Sequence, residues 1–371
     1  MITYEKQFMK QDGIIVKDSI IIKDGIIAID KPEGISSASV VAKIKKKLDI
    51  KKVGHTGTLD PFATGLMLCG VNKGTKLSQF FLGSNKSYIA EILLGIETDT
   101  QDYTGQVIKR CEPSILNSID NGKIIEAVEK FKGVQMQTPP VYSALKHNGV
   151  PLYKLARLGQ AIEKPSRKIE IYSIKTESIH SIDILQANKI ISGLKCLENK
   201  ISQSEILDSM LVTISVDCSS GTYIRSLAHD IGKKLGCGAC LSSLRRTKTS
   251  GFSIDDAIAL TAFQEMPQED AFSRIIPMAE ALKFMPVIHA DDNMIETVRF
   301  GRVFTPNFQP YYHFFNSDSS TNHTDSMVVK NFNATNEELY FKVIDSIGRL
   351  AAIVKYNANF NKYDYCCVFV N

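Results

Sequence analysis

The sequence lacks the features expected of a protein that is exported or inserted into a membrane. No stretch reaches the roughly 18 consecutive apolar residues of a membrane-spanning helix. Residues 1–13 carry charges where a signal peptide needs an apolar core. Both absences predict a cytoplasmic protein. The net charge of +4, from 44 basic and 40 acidic residues, is too small to indicate nucleic-acid binding unless basic residues cluster locally.

Cysteine spacing gives little support for a metal or disulfide site. The chain has eight cysteines, and without a secretory signal we expect them to be reduced thiols. Only Cys237 and Cys240 have the spacing of a zinc or redox pair, and a structural zinc site needs a second pair of that kind. Cys366 and Cys367 are adjacent instead. The sequence therefore predicts no metal site.

Hydrophobic alternation indicates several strands. The runs 86–95 and 211–220 alternate apolar with polar residues, as half-buried strands do. Residues 20–32 are rich in β-branched side chains on either side of an Asp-Gly pair, which predicts a hairpin that leads into a buried strand. Short β-like runs recur after residue 285. These patterns predict a main sheet and a smaller β-rich unit at the C-terminal end.

Helical spacing of apolar residues indicates that helices flank this sheet. Residues 34–49 carry one apolar stripe, with Ser36 or Ser37 as the N-cap. Residues 221–236 repeat the pattern, with Thr222 as the N-cap. The sequence therefore predicts an α+β fold with a mixed or antiparallel sheet flanked by helices.

The stretch VGHTGTLDPFATGLM, residues 53–67, sets one carboxylate in a constrained loop. Pro61 biases Asp60 towards extended dihedral angles, and the glycines allow sharp turns. An aspartate held in this way can act as a base, a metal ligand or a covalent nucleophile, although most Asp-Pro pairs only organise a turn. The acid–base pair of a glycosidase needs a second carboxylate nearby, and this loop has none.

Arg225 is the second candidate, because its position opposes a helix dipole. With Thr222 as the N-cap it is the third helical residue, where a cation costs about 0.3–1 kcal/mol unless an anion lies opposite. The alternative is a side chain that reaches solvent. The rings of Tyr88 and Tyr223 can stack on a nucleobase or belong to the core. His55 can bind a ligand or satisfy backbone groups of its loop.

Basic residues cluster in several segments. Lysines are densest within residues 43–52, and Lys146 and Arg245 belong to other basic segments. Each side chain singly is an exposed surface residue by default. Several of them around one site would form an RNA-facing rim.

Six ordered blocks resemble the TruB family of tRNA pseudouridine synthases. They are GIIAIDKPEGISS, VGHTGTLDPFATGLM, GTKLSQFFLGSNKSYIAEILLGIETDTQDYTG, TPPVYSALKHNGVPLYKLARLG, SSGTYIRSLAHDIGKKLGCGA and LRRTKTSGFSIDDAIAL. The resemblance covers residues 24–265. It implies an isomerase that detaches uracil from its ribose, turns the base over and rejoins it through C5, without a cofactor.

The resemblance also implies roles for the matching residues. The implied catalytic residues are the nucleophile Asp60, its partner Arg225, and Tyr88, which stacks on the target uracil. The implied substrate-binding residues are His55, Tyr223, Lys31, Lys146 and Arg245. One departure is Ser87, which stands where many members carry arginine.

The implied substrate is tRNA, at the T-loop uridine of position 55 in tRNA numbering. That uridine is stacked inside the loop, so it must be flipped out at a cost of a few kcal/mol. We expect a monomer that needs no guide RNA. Two alternatives stay open: an RNA-binding or tRNA-folding module without catalysis, and a guide-RNA-dependent pseudouridine synthase subunit.

Length and motif positions predict the domain organisation, since about 150 residues per domain allows two domains. We expect an N-terminal extension at 1–23, a catalytic domain at 24–275 and a PUA-like RNA-binding domain at 285–371. The catalytic domain is expected to carry an RNA-gripping insertion at about 133–165 and an extra insertion at about 178–209.

Overall fold

The computed structural model describes residues 24–192, 209–303, 340–357 and 359–370. The first half of the hairpin predicted at 20–32 lies outside these residues. The strands, in chain order, are β1 (Gly25–Lys31), β2 (Val53–His55), β3 (Thr64–Val71), β4 (Lys86–Leu94), β5 (Ile96–Thr98), β6 (Val107–Arg110), β7 (Gly133–Gln137), β8 (Lys146–His147), β9 (Val150–Pro151), β10 (Arg167–Ile182), β11 (Ser209–Cys218), β12 (Ala239–Thr249), β13 (Phe252–Ser253), β14 (Ile258–Ala259), β15 (Ile276–Pro277), β16 (Val287–His289), β17 (Tyr340–Ile344), β18 (Leu350–Asn357) and β19 (Lys362–Val368).

Helices connect and cover these strands. They are α1 (Ser37–Leu48), α2 (Ser78–Leu82), α3 (Pro113–Asn117), α4 (Asn121–Glu129), α5 (Leu152–Arg157), α6 (Ile184–Ser192), α7 (Ile224–Leu235), α8 (Leu260–Glu265), α9 (Gln268–Ser273), α10 (Met278–Ala281) and α11 (Asp292–Arg299). Two short 3₁₀ turns span Asn72–Leu77 and Ile254–Asp256.

Eleven strands of the described chain form one mixed sheet. Its main order is β14-β1-β3-β12-β4-β11-β10-β7, with β2 beside β3, β13 beside β12 and β15 beside β1. The pairs β1–β14 and β3–β12 are parallel, and the other pairs are antiparallel. The predicted α+β fold with a mixed sheet is therefore confirmed.

The predicted first helix forms because its cap and its stripe agree. The Ser36 hydroxyl accepts a hydrogen bond from Ser39 N at 3.1 Å, which satisfies one of the free donors at the helix N-terminus. Val40, Ile44 and Leu48 are fully buried. They pack in one core cluster with residues of β1 and β3, so α1 covers one face of these strands.

The larger core lies between the sheet and helices α4 and α7. Alternate residues of β4 point into it, among them Tyr88, Ala90 and Ile92. The matching residues of β11 join them from the next strand. Because α7 begins beside this core, the residues at its N-terminal end lie close to the start of β4.

The C-terminal strands form a separate four-stranded sheet that is docked on the unit built around the eleven-stranded sheet. Its order is β16-β17-β18-β19. Ile353 and Phe369 pack in one buried cluster with Ile26 of β1. The buried amine of Lys342 donates to the carbonyls of Ala279 (2.8 Å) and Leu282 (3.0 Å) at the end of α10. The two units therefore share a core rather than only a linker.

The segment predicted as an extra insertion, 178–209, starts inside the main sheet. Strand β10 continues to Ile182 and pairs there with Ser209 of β11. Helix α6 follows, and its Ala187 packs on Leu93 at the far end of β4. Residues 178–182 are thus sheet, and the segment leaves the sheet only after them.

Candidate active site

A cleft of about 340 Å³ opens beside the ends of β4 and β12. Its walls also include the loop after β2, residues 143–145, and the turn before α7. Its volume is within the range of small-ligand sites. The charged and aromatic residues that line the cleft are Asp60, Lys86, Tyr88, Arg167, Tyr223, Arg225 and Arg246. The structure therefore brings Asp60, Tyr88, Tyr223 and Arg225 to one cleft.

Hydrogen bonds from α1 and the segment before it fix the loop that carries Asp60, residues 56–63. Ser37 Oγ donates to the Leu59 carbonyl (3.0 Å) and accepts from Leu59 N (2.9 Å). Gly34 N donates to the Pro61 carbonyl at 2.9 Å. The backbone is thus held on both sides of Asp60. Such positioning suits a nucleophile, because a fixed geometry removes much of the entropic barrier to attack.

Lys31, at the end of β1, supports the same loop. Its side chain is fully buried, and its amine donates to the carbonyls of Pro61 (3.0 Å) and Ala63 (2.5 Å). Burial lowers the pKa of Lys31 to about 8, and the negative charge of Asp60 opposes that change. The observed contacts are with the backbone of the loop, so the substrate-binding role of Lys31 stays a prediction.

Arg225 is the second residue of α7, not the third. The N-cap is Tyr223, so the predicted cap at Thr222 was wrong. The Thr222 hydroxyl donates instead to the carbonyl of Ser219 at 3.0 Å, within the preceding turn. The helix end therefore has no side-chain cap. A cation at this end still opposes the helix dipole, so it needs negative partners.

The partners of Arg225 are two carboxylates and two backbone carbonyls. Its Nε lies 2.9 Å from Asp60 Oδ2, and its Nη1 lies 3.6 Å from Asp102 Oδ2. Nη1 also donates to the Thr100 carbonyl (2.9 Å), and Nη2 donates to the Tyr142 carbonyl (2.7 Å). The planar guanidinium is thus fixed in orientation, with its Nε edge towards Asp60.

The Asp60 carboxylate is the reachable member of this pair. Its side chain is 35% exposed, whereas that of Arg225 is 4% exposed. Burial raises the pKa of Asp60 above its ordinary value, and the positive charge of Arg225 opposes the rise. A ligand in the cleft therefore meets the Asp60 carboxylate, which is paired with the buried guanidinium of Arg225.

Tyr88 and Arg246 line the cleft as a cross-strand pair. Tyr88 of β4 lies directly across from Arg246 of β12. Both are buried, and burial raises the pKa of the Tyr88 phenol. Arg246 Nε donates to the Leu66 carbonyl at 2.7 Å, and its Nη2 donates to the Gly57 carbonyl at 3.4 Å. Arg246 thus ties the Asp60 loop to the sheet.

Family models and curated relatives agree on one assignment. Residues 45–224 match the TruB family pseudouridylate synthase N-terminal domain, and residues 225–283 match the tRNA pseudouridylate synthase B C-terminal domain. The tRNA pseudouridine synthase B of Geobacter sulfurreducens is 39% identical over 274 residues, which are 74% of this chain and 80% of that protein. That of Desulfotalea psychrophila is 44% identical over 249 residues, 67% of this chain and 89% of that protein. The chain belongs to the TruB family of tRNA pseudouridine synthases.

As a TruB family member, the protein is an enzyme, an isomerase that converts uridine to pseudouridine. Solved structures agree on the fold. A Cbf5-Nop10-Gar1 complex contains a chain with a TM-score of 0.58 and 23% sequence identity, which covers 94% of this chain and 86% of its own length. An H/ACA RNP bound to a substrate RNA containing 2'-deoxyuridine contains a chain with the same score and identity, covering 94% of this chain and 85% of its own. At this identity the likeness shows the fold alone.

Arg245, predicted from the TruB resemblance to bind substrate, points away from the cleft in this structure. Neighbouring residues of a strand face opposite sides of the sheet, and Arg246 takes the cleft side. Arg245 instead forms a two-point pair with Asp30, with Nη2–Oδ2 at 2.7 Å and Nη1–Oδ1 at 3.1 Å. Arg246 is therefore a cleft residue that the sequence analysis did not predict, and its pairing opposite Tyr88 in the folded sheet is what shows its face.

The remaining residues predicted from the TruB resemblance differ in their relation to the cleft, since Tyr223 is among its lining residues whereas His55 and Lys146 are not. Tyr223 lines the cleft, and the guanidinium of Arg167 lies over its ring at 4.8 Å from the centroid. His55 ends β2 and is half-buried, and burial lowers its pKa. Lys146 is exposed on β8, outside the cleft lining. Binding roles for His55, Tyr223 and Lys146 stay predictions.

The dense lysine cluster of residues 43–52 lies at the other end of α1 from the contacts with the Asp60 loop. Ten residues of helix, about 15 Å at 1.5 Å per residue, separate Ser37 from Lys47. Lys43 Nζ donates to Gln264 Oε1 (3.0 Å), and Lys47 Nζ donates to the Gln264 carbonyl (2.9 Å). These two lysines therefore join α1 to the end of α8.

The described ranges contain no group of three or more His, Cys, Asp or Glu side chains that could hold a metal ion. Cys237 and Cys240 are both buried there and are not disulfide-bonded. In the same ranges no helix is long and apolar enough to cross a membrane.

We expect Arg246→Met to destabilise the protein more than Arg245→Met. The first change leaves the Leu66 carbonyl without its buried donor, a loss of about 1.5–3 kcal/mol for a charged hydrogen bond. The second removes a partly exposed ion pair, worth about 0–1 kcal/mol. Urea unfolding of both variants measures the difference. Equal losses would contradict the assignment of Arg246 as the residue that ties the loop to the sheet.

Proposed function

We propose that the protein converts the T-loop uridine of tRNA at position 55 to pseudouridine, with Asp60 as the nucleophile. The observation that carries this proposal is the ion pair between Asp60 and Arg225, at 2.9 Å, in a cleft that Tyr88 also lines. The names of the curated relatives support tRNA as the substrate. The fixed Asp60 loop supports attack by a positioned carboxylate.

The reaction exchanges one glycosidic bond for another within the same nucleotide. The carboxylate of Asp60 attacks the bound nucleotide, and the bond between N1 of the base and C1′ of the ribose breaks. The base turns, a bond forms between C5 and C1′, and the covalent bond to Asp60 is released. C5 then loses its hydrogen to solvent while N1 gains a proton, so the product is an isomer of the substrate.

The cleft geometry supports base flipping. A uridine inside a folded loop is out of reach of a carboxylate that lies in a cleft, so it must leave its stack and enter the cleft. The ring of Tyr88 offers a stacking surface there, worth about 1–3 kcal/mol for a nucleobase. Arg225 is 4% exposed and Asp60 is 35% exposed, so the carboxylate is the member of the pair that the nucleotide can reach.

The other parts of the chain have proposed roles in holding tRNA. Tyr142 of the segment at 133–165 gives its carbonyl to Arg225, so this insertion contributes to the cleft wall as well as reaching towards RNA. We propose that the docked C-terminal sheet belongs to a PUA-like RNA-binding domain at 285–371. We propose that the enzyme acts as a cytoplasmic monomer on tRNA alone, with its own carboxylate and no cofactor.

Tritium release tests this function directly. A tRNA transcript labelled with tritium at uracil C5 is incubated with the purified protein and without guide RNA. We expect tritium to appear in water, up to one equivalent per tRNA. A matched transcript with cytidine at position 55 should release none of the corresponding label, because its target is missing.

Other outcomes separate the alternatives. Release from the position-55 variant that equals release from the parent would overturn the T-loop assignment. Release that requires an added guide RNA would support the guide-dependent alternative instead. Tight tRNA binding without any release would support the non-catalytic reading of this particular chain.

A further inference from the structure

The cleft wall contains a buried hydroxyl without a hydrogen-bond partner among the described residues. It belongs to Ser143, which is 3% exposed and lines the same cleft as Asp60 and Tyr88. Burying a hydroxyl without a partner costs free energy, so nearly all such groups in folded proteins have one. The arrangement at Ser143 therefore calls for a partner that enters the cleft.

The backbone at Ser143 is held in place. Tyr153 N, near the start of α5, donates to the Ser143 carbonyl at 3.0 Å. The preceding residue, Tyr142, offers its carbonyl to Arg225 Nη2 at 2.7 Å. A small shift of the segment would break one or both of these bonds. The hydroxyl is thus fixed in the wall. Ser143 directly follows Tyr142, whose carbonyl helps to orient Arg225, the ion-pair partner of Asp60.

A second buried serine nearby shows the usual arrangement. Ser226 of α7 is also 3% exposed. Its hydroxyl lies 3.1 Å from the Thr138 carbonyl and 3.2 Å from Gln101 Oε1. The two serines are equally buried, and of the two only the Ser226 hydroxyl has a protein partner. This difference makes Ser226 a matched control for Ser143.

We infer that the Ser143 hydroxyl forms a hydrogen bond with the target uridine when that nucleotide is flipped into the cleft. The inference rests on the proposed function, since it requires a nucleotide beside Asp60. A uridine offers hydroxyl and carbonyl oxygens and one N–H, and a serine hydroxyl can pair with any of these groups. The insertion at 133–165 then contributes a group that contacts the reacting nucleotide itself.

The test compares Ser143→Ala with the wild-type protein in two measurements. In tritium release from the tRNA transcript, kcat/KM should fall about tenfold, the effect of one lost hydrogen bond to substrate. In thermal unfolding without RNA, Tm should stay the same or rise, because the variant no longer buries an unpaired hydroxyl. Ser226→Ala should show the opposite unfolding result, a lower Tm, because it removes a paired hydroxyl.

The outcomes distinguish this inference from the proposed function. If wild-type protein releases no tritium from tRNA, the proposed function fails first. If wild type is active and Ser143→Ala has the same kcat/KM, the substrate does not use this hydroxyl and the inference is overturned. A fall in Tm for Ser143→Ala comparable to that of Ser226→Ala would also overturn it, because the hydroxyl would then stabilise the free protein.

Discussion

Asp60→Asn should abolish tritium release while tRNA affinity changes by less than about tenfold, or ~1.4 kcal/mol. The amide keeps the shape of the side chain, but it is a far weaker nucleophile and carries no charge. Most RNA affinity comes from contacts with the phosphate backbone and from stacking, which this substitution leaves in place. Turnover is measured with C5-labelled tRNA transcript, and affinity is measured by filter binding at fixed salt.

A matched control for this substitution is Asp217→Asn. Asp217 is an exposed carboxylate on β11, opposite Ser87 in the sheet register and therefore on the other face from Tyr88. It undergoes the same chemical change without touching the cleft. We expect wild-type release from Asp217→Asn. Normal turnover in Asp60→Asn would refute the nucleophile assignment, whatever the control shows.

Local features of the fold were predictable because local signals agreed with each other. Helix α1 has its cap at Ser36 and its stripe within one continuous segment, so the sequence alone predicts its bounds closely. Strand β4 likewise alternates without interruption. In both cases the short-range pattern and the long-range packing favour the same structure, and no tertiary contact overrides the local preference.

The sequence-based predictions fail at residues whose arrangement is set by tertiary contacts. Thr222 has the residue type of an N-cap, but its hydroxyl bonds to the Ser219 carbonyl and the helix begins after Tyr223. Strand β12 contains a register shift between Leu241 and Ser243, so counting along the strand does not show which face Arg246 takes. Its pairing opposite Tyr88 in the sheet settles that face.

The central pair of the site could not follow from spacing. Asp60 and Arg225 meet only because β3, β12 and β4 bring the loop and the start of α7 together. The resemblance to the TruB family predicted their pairing. Asp102 lies in one of the same resembling blocks, yet its contact with Arg225 is visible only in the folded chain. The structure thus extends the predicted pair to a cation between two carboxylates.

Arg225→Met should lower kcat/KM on the order of 10²-fold at neutral pH and move the acid limb of the pH profile to higher pH. Asp60 must be ionised to attack, so activity is lost as the pH falls through the pKa of this carboxyl. Arg225 opposes the rise that burial imposes on that pKa. Without the cation the pKa of Asp60 rises further, because less positive charge then opposes the effect of burial. The negative charge of the nearby Asp102 carboxylate also raises the pKa of Asp60.

Arg225→Lys separates the charge from the geometry. The ammonium keeps the positive charge, so the acid limb should stay near its wild-type position. It cannot reproduce the fixed fork that binds Asp60 through Nε and the carbonyls of Thr100 and Tyr142 through the other nitrogens. The plateau of kcat/KM should therefore fall although the pH profile does not move. An unshifted acid limb in Arg225→Met, with circular dichroism confirming a folded protein, would show that the limb belongs to another group. The cation would then orient Asp60 without controlling its ionisation.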